Sequence, residues 1–395
     1  RASGSQWTFG PNIEVARDAR WGRIGDTFGE DPYLVSCLGV AAVKGLQGKD
    51  FSAPENVIAC AKHLVGGSQP INGINGAPAD PFKACVEAGI YTVMAAHNEY
   101  NGIPCHASKE LLDNLLRREW NFKGFVVSDW MDIERMQDYH CVGETLEDVY
   151  RLTLDAGMDM HMHGPDFYYS LLEMIKKGMI SQKRIDASVK RILEVKFRLG
   201  LFDRPFTDEN RKREVLFCQP HRDTALKAAR EGIVLLKNEG VLPLNTDKYK
   251  KILVTGPNAD NQAILGDWAM EQPDTNVMTI FKGLKNASPS TSFTLCPMGY
   301  DLRSITEEQI KQAEIEAFKN DLAIVVVGEN SMRYHWGEKT CGENSDRYDL
   351  ELVGLQQQLI ERLYKTGIPV IVVLVNGRPL ATEWIADNIP VVVEA

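Results

Sequence analysis

Short apolar runs rich in β-branched residues recur along the chain, and between them the apolar positions fall at helical spacing. Residues 7–13 read as a strand running into a loop, and 57–61, 91–98, 124–127 and 157–163 read as further strands. Stretches 34–46, 108–119, 168–177 and 182–199 read as helices. In the second of them Ser108 stands as a cap ahead of Leu111, Leu112, Leu115 and Leu116. Such alternation predicts a parallel sheet wound with helices, a TIM-like (β/α) barrel whose ligands are met at the carboxyl ends of the strands. Five strands are visible, so one or more is expected upstream of Arg1.

The pattern breaks at Gly200-Leu201-Phe202-Asp203-Arg204-Pro205, and a charged, irregular segment runs to about His221. This places a barrel domain at 1–203, a linker at 204–221 and a second domain at 222–395. A helix over 222–231 leads into Ile233-Val234-Leu235-Leu236, and runs at 251–257, 323–328 and 370–377 resume an α/β rhythm, which predicts a doubly wound α/β sandwich domain. Gly256 follows the first of these runs without a G-x-G-x-x-G pattern, so a plain turn explains it better than a nucleotide loop. The chain opens at Arg1 without a Met and closes at Ala395 in mid-strand. It reads as a fragment, the barrel incomplete at its N-terminal side and the sandwich at its C-terminal side.

Composition narrows the class. With 395 residues, 44% hydrophobic and 25% charged, usage is ordinary for a globular chain with two cores. The net charge is -10 and the basic clusters at 211–213 and 248–251 are short, so neither nucleic acid nor an anionic membrane surface is an expected partner. No run approaches the ~18 apolar residues of a membrane span, and the first residues lack a signal-peptide pattern. The eight Cys include no Cys-x-x-Cys and are read as mostly buried free thiols. The compartment stays open, with the periplasm or secretion slightly preferred to the cytoplasm.

Candidate chemistry centres on Gly124-Phe125-Val126-Val127-Ser128-Asp129-Trp130-Met131. Asp129 would stand at the carboxyl end of a buried strand, with Trp130 as an apolar wall beside it, as a catalytic carboxylate does. Alternatively Ser128, Asp129 or Asp132 only caps the helix suggested by Ile133-Glu134-Arg135-Met136, and both readings stand at this point. Lys62 and His63 also follow a strand, and they suit the donor side of a polyhydroxyl ligand. The arginines of the loop at 15–23 could hydrogen-bond sugar hydroxyls or tie that loop to Asp18, Asp26, Glu30 and Asp31. Residues 66–76 read as a loop from their Gly, Asn and Pro content. His161 and His163 share a strand face, but no third ligand stands at a telling spacing, so no metal site is assigned.

Several segments taken in order resemble the family 3 glycoside hydrolases over almost the whole chain. They are Arg17-Asp18-Ala19-Arg20-Trp21-Gly22-Arg23, Phe28-Gly29-Glu30-Asp31-Pro32-Tyr33, Ala61-Lys62-His63, Phe122-Lys123-Gly124-Phe125-Val126-Val127-Ser128-Asp129-Trp130, Arg184-Ile185-Asp186 and Val234-Leu235-Leu236-Lys237-Asn238. The resemblance implies a retaining β-glycosidase with a barrel domain, then an α/β sandwich domain, and the site between them. It implies Asp129 as nucleophile and Arg23, Lys62 and His63 as ligands of sugar hydroxyls. Trp130 becomes a wall of the sugar site, and Met94 and His97 become substrate-binding positions, His97 standing where many members carry Tyr. The acid/base comes from the second domain. There Cys341-Gly342-Glu343-Asn344-Ser345-Asp346-Arg347 resembles the family's Glu followed three residues later by Asp-Arg, so Glu343 is the choice, with Glu338 and Glu329 as fallbacks. Glu343 could instead only pair with an arginine such as Arg347.

Retention needs one ionised and one protonated carboxyl, usually ~5 to 5.5 Å apart. Arg23, Lys62 and His63 would favour the charged form of Asp129, and a drier setting would keep Glu343 protonated. Two departures accompany the resemblance. The family's substrate-binding Asp, in an early Gly-x-Asp-x-Val-His-Gly type segment, is not among these residues. Ala79-Asp80 also runs straight into Pro81-Phe82-Lys83 where an Arg/Glu-rich stretch is usual, so residues are expected to be missing at both places. The expected activity is that of an exo-acting β-glucosidase on β-linked oligosaccharides or aryl glucosides. A β-xylosidase and a catalytically silent carbohydrate-binding homologue are the alternatives. No cofactor is required, since a side chain protonates the leaving group. A homodimer is compatible with the sequence.

Overall fold

The computed structural model describes residues 1–68 and 79–395, so most of the loop expected at 66–76 lies outside the described residues. The chain divides into two compact units, one of Arg1–Asp18 with Thr27–Cys218 and one of Ala19–Asp26 with Gln219–Ala395.

The first unit is built on a parallel arc. Helix α1 (Pro32–Gln47) starts where Asp31 Oδ1 accepts the N–H groups of Tyr33 and Leu34 at 2.7 and 3.0 Å, and it buries Val35, Gly39 and Val43 on one face. Strand β1 (Cys60–Leu64) pairs with β2 (Thr92–Ala95), which follows α2 (Asp80–Glu87). A small hairpin, β3 (Glu99–Tyr100) with β4 (Ile103–Pro104), precedes a helix over Glu110–Glu119. That helix is wound wide, Trp120 N–H reaching back to Leu115 O, where the apolar stripe alone had suggested an ordinary one. Strand β5 (Phe125–Val127) completes the order β1-β2-β5, and single parallel bridges Trp7–Ile58, Asn12–Lys62 and Val127–Met160 extend the arc at both sides.

Three strand readings differ from the structure, the first being the run at 7–13, which reduces to single bridges at Trp7 and Asn12. The run expected to stop at Ala61 continues, and Lys62 and His63 lie inside β1, because Lys62 exchanges backbone hydrogen bonds with Pro11 O and Ile13 N–H. Hydropathy stops at the first polar side chain, while the ladder depends on backbone groups that every residue carries. The strand expected at 157–163 reduces to the bridge at Met160. The arc is parallel and wound with helices; among the described residues it is not closed into a barrel.

Helices α3 (Asp132–Asp138), α4 (Leu146–Ala156), α5 (Pro165–Lys176) and α6 (Gln182–Arg198) follow, and α7 (Glu209–Val215) occupies part of the segment read as irregular. Thr145 and Asp148 close α4 with a reciprocal capping box. Ile13, Leu64, Val93, Val126, Leu112 and Leu154 belong to one buried cluster, and Ile58, Cys60, Met94, Phe125 and Val127 to another.

The second unit opens with α8 (Gln219–Gly232) and carries a six-stranded sheet. Its strands are β6 (Val234–Asn238), β7 (Lys251–Thr255), β8 (Ser292–Cys296), β9 (Leu322–Gly328), β10 (Val370–Val375) and β11 (Val391–Glu394), in the order β6-β11-β10-β9-β7-β8, all parallel except β6. Strand β9 is buried throughout. Leu322, Ile324 and Val326 face the side covered by α9 (Ile280–Ala287), and Ala323, Val325 and Val327 face α10 (Glu307–Ala317) and α11 (Gln356–Tyr364). A continuous apolar run is what a strand covered on both faces requires. Because β8 and β9 leave β7 on opposite sides, the carboxyl ends of β7 and β9 form the switch point at which such sheets offer a crevice. No described helix is long and apolar enough to cross a membrane.

Candidate active site

Strand β5 ends at Val127, and the chain is turned by Ser128, whose N–H donates to Met160 O and whose Oγ accepts the Met162 N–H, both at 2.9 Å. Asp129 follows, nine-tenths buried. The Trp130 N–H donates to its Oδ1 at 2.6 Å, and its Oδ2 lies 2.9 Å from His97 Nε2 and 3.4 Å from His63 Nε2. The alternative of a capping Asp129 does not hold, since Met131 in left-handed geometry precedes α3 and no side chain caps that helix. Burial pushes the Asp129 carboxyl up. The His97 hydrogen bond, the charges of His63 and His97 and the Trp130 N–H outweigh it and hold the group well below the ordinary carboxylate range.

Each histidine is itself fixed. His63 Nδ1 is 2.9 Å from Oε2 of Glu14, and both side chains are buried. His97 is two-fifths exposed and reaches Asp132 Oδ2 through Nδ1 at 2.6 Å. Burial would lower its pKa, but hydrogen bonds to Asp129 and Asp132 raise it to about 10. His106 Nε2 accepts the backbone N–H of Asp129 at 3.0 Å, and burial lowers that imidazole to about 4. Lys62 is the half-buried residue of β1. Trp130 is 51% exposed and stacks on His163 with centroids 4.0 Å apart. Met94 packs in the apolar cluster of Phe125 and Val127, 1% exposed, and it is not among the groups touching Asp129.

His161 and His163 do not converge as ligands: His161 Nε2 pairs with Glu134 at 2.7 Å, and His163 stacks on Trp130. Donor atoms of His97, Asp129 and Asp132 do converge within 4.8 Å. The two ring nitrogens of His97 lie within ion-pairing distance of the two carboxylates, so the group is a chain of ion pairs.

In the second unit Glu343 is clamped through its backbone. Its N–H donates to Asp267 Oδ2 at 2.8 Å, and Lys339 Nζ donates to Glu343 O and Asp267 Oδ2, each at 3.0 Å. The carboxylate meets Arg333 at 2.6 Å and Arg23 at 3.5 Å, while Arg23 also holds Asp26 at 2.7 Å. The surroundings of Glu343 are thus cationic, where a drier setting was expected. Its expected partner Arg347 instead binds Asp349 and lies 3.5 Å from Glu329. Burial raises the Asp267 carboxyl, but the Glu343 N–H and Lys339 outweigh it and leave it lowered. Among the fallbacks, Glu329 is enclosed with Arg378 Nε at 2.9 Å, its pKa raised by burial despite the arginines, and Glu338 faces His335 at 3.5 Å. The segment Ala19–Asp26 is bound here: Gly342 N–H donates to Gly22 O at 2.7 Å, and Arg378 donates to Arg20 O at 2.8 Å. A cavity of about 210 Å³, lined by Asp26, Asp267, Glu329, Cys341 and Asn376 among others, opens at the carboxyl ends of β9 and β10.

Two family models match the chain, the glycosyl hydrolase family 3 N terminal domain over residues 1–195 and the family 3 C-terminal domain over residues 233–395. The chain belongs to glycosyl hydrolase family 3. A β-xylosidase of Formosa agariphila is 38% identical, the match covering 100% of this chain and 58% of that protein. A lysosomal β-glucosidase of Dictyostelium discoideum is 34% identical over 96% of this chain and 49% of its own length. The solved β-glucosidase of Erythrobacter marinus superposes with a TM-score of 0.88 at 32% identity, covering 100% of this chain and 57% of that one. The family 3 chain thus spans about half to three-fifths of these relatives.

Of the residues singled out in this family 3 sequence, the structure brings His63 and His97 onto Asp129 in the first unit, and Arg23 onto Glu343 in the second. No role was expected of Glu14, His106, Asp267, Arg333 or Lys339, and of Asp132 only that of a cap. Asp132 had the clearest local signal, an acid three residues beyond Asp129. The others are single polar residues without a motif of their own.

Proposed function

We propose that this chain carries the catalytic groups of a retaining exo-β-glucosidase, one that releases terminal β-D-glucosyl units through a glycosyl ester on Asp129. The observation that carries the reading is the Asp129 carboxylate, nine-tenths buried yet held ionised, with one oxygen on a backbone N–H and the other toward two imidazoles. Such a group suits attack on an anomeric carbon. Asp129 forms the C–O bond as the glycosidic bond breaks, and Glu343 gives its proton to the leaving oxygen. Water then attacks the same carbon and returns a proton to Glu343, and the ester bond breaks to regenerate Asp129. Lys62, His63 and Arg23 bind sugar hydroxyls in this reading, and the exposed Trp130 supplies an apolar wall.

A β-xylosidase is the second reading, favoured by the 38% identity to the Formosa agariphila enzyme. The two substrates differ by one hydroxymethyl group, a difference worth about ten- to two-hundredfold in a fitted pocket. A panel of nitrophenyl β-glycosides decides between them. Glucoside turnover about tenfold or more above xyloside turnover is expected, and the reverse order would overturn the glucoside assignment. Covalent labelling by a 2-deoxy-2-fluoro glucoside should fall on Asp129 and disappear in Asp129→Asn.

A further inference from the structure

His97 lies between two carboxylates, one at the reacting position and one deeper. Nε2 is 2.9 Å from Asp129 Oδ2 and Nδ1 is 2.6 Å from Asp132 Oδ2. Two carboxylates within ion-pairing distance of its two ring nitrogens favour the imidazolium form of the ring. Asp132 is 3% exposed, its other oxygen takes Arg135 Nη1 at 3.1 Å, and it sits in the first turn of α3, where a helix favours negative charge.

The remaining groups around His97 are set differently. His106 accepts the Asp129 N–H through Nε2, so this ring is neutral with its proton on Nδ1, 3.7 Å from Asp132. His140 Nε2 faces the His97 carbonyl at 3.2 Å while its Nδ1 faces Glu99 at 2.9 Å. The His63 ring lies parallel to that of His97, with centroids 6.1 Å apart.

A single carboxylate partner would serve as long as Asp129 stays charged. Once Asp129 is esterified to a sugar its charge is gone, and of the two carboxylates only Asp132 still pairs with the His97 ring. In the hydrolytic half of the cycle Asp129 is the leaving group, and a donor waiting at its oxygen lowers the cost of its departure. We infer that Asp132 is a positioning residue that keeps His97 an imidazolium throughout the cycle, so that the ring stabilises the Asp129 carboxylate as it leaves the sugar. This rests on Asp129 being the nucleophile.

Asp132→Asn provides the test, with 2,4-dinitrophenyl β-glucoside as substrate. In the free protein the His97 imidazole, followed by NMR, should titrate about one to two pH units lower than in wild type. Near pH 8, kcat should fall about tenfold, KM should fall with it, and a burst of dinitrophenol should appear because the ester accumulates. Near pH 5 the imidazole is protonated even without Asp132, and both the burst and the kcat deficit should vanish. His97→Gln should show the burst at both pH values. An unchanged imidazole titration, or loss of kcat and kcat/KM together without a burst, would overturn the inference. If Asp132→Asn does not fold, absence of the burst in His97→Gln overturns it alone. Fluoroglucoside labelling of a residue other than Asp129 in the wild-type enzyme would instead remove the nucleophile reading on which the inference stands.

Discussion

Asp159→Ala probes how the strand that presents Asp129 is anchored. The Asp159 side chain is fully enclosed, accepts the Val126 N–H at 3.0 Å, Ser188 Oγ at 2.7 Å and Arg191 Nη1 at 2.8 Å, and pairs with Arg117, with Arg184 at 3.9 Å. Removing it leaves a core N–H without an acceptor, a cost of about 1–3 kcal/mol. It also leaves Arg117 as a largely buried cation without its partner, which typically costs about 3–5 kcal/mol. Arg184 and Arg191 are 21% and 30% exposed in their side chains, and water recovers part of their loss. These effects share one network and do not add, so the net expectation is about 3–5 kcal/mol. For a unit of this size that lowers its melting transition by about 6–20 °C. Circular dichroism melts of both proteins give the comparison, with Arg191→Met as a milder control. Because Val126 leads directly into Ser128 and Asp129, kcat/KM at 25 °C should fall as well. A transition within about 2 °C of wild type would show that the arginines find other partners and that this anchor has been overvalued.

Two further expectations concern pH and backbone. The folded pKa of His97, about 10, lies above its ordinary value near ~6.5, so its stabilising contribution is complete below that value and is lost as pH rises toward 10. The melting-temperature advantage of wild type over His97→Gln should therefore shrink between pH 6.5 and 10, and a constant difference across that window would refute the assignment. Gly342 has φ of +86°, and a Cβ there would stand 2.4 Å from Asp267 Oδ2, inside the clamp on Glu343. Gly342→Ala should destabilise the second unit by about 2–4 kcal/mol in urea unfolding, and a cost below about 0.5 kcal/mol would mean that the clamp yields freely.

Local pattern in the chain was enough for much of this architecture. The buried run Phe125–Val127 stopping before an acid and a tryptophan marked the nucleophile candidate, because a strand end shows as a change from apolar to polar residues. Strands β7, β9 and β10 were likewise legible, since a strand covered on both faces has to be apolar throughout. Tertiary structure alone decided the rest. Glu14 meets His63 across 49 positions, Asp267 meets the Glu343 N–H across 76, and Arg333 rather than Arg347 takes the Glu343 carboxylate. The segment Ala19–Asp26 lies among first-unit residues in sequence and is bound within the second unit. Hydropathy and spacing are properties of neighbouring residues. The ionisation of Asp129 and the surroundings of Glu343 depend instead on charges that reach them only after the chain has folded back on itself.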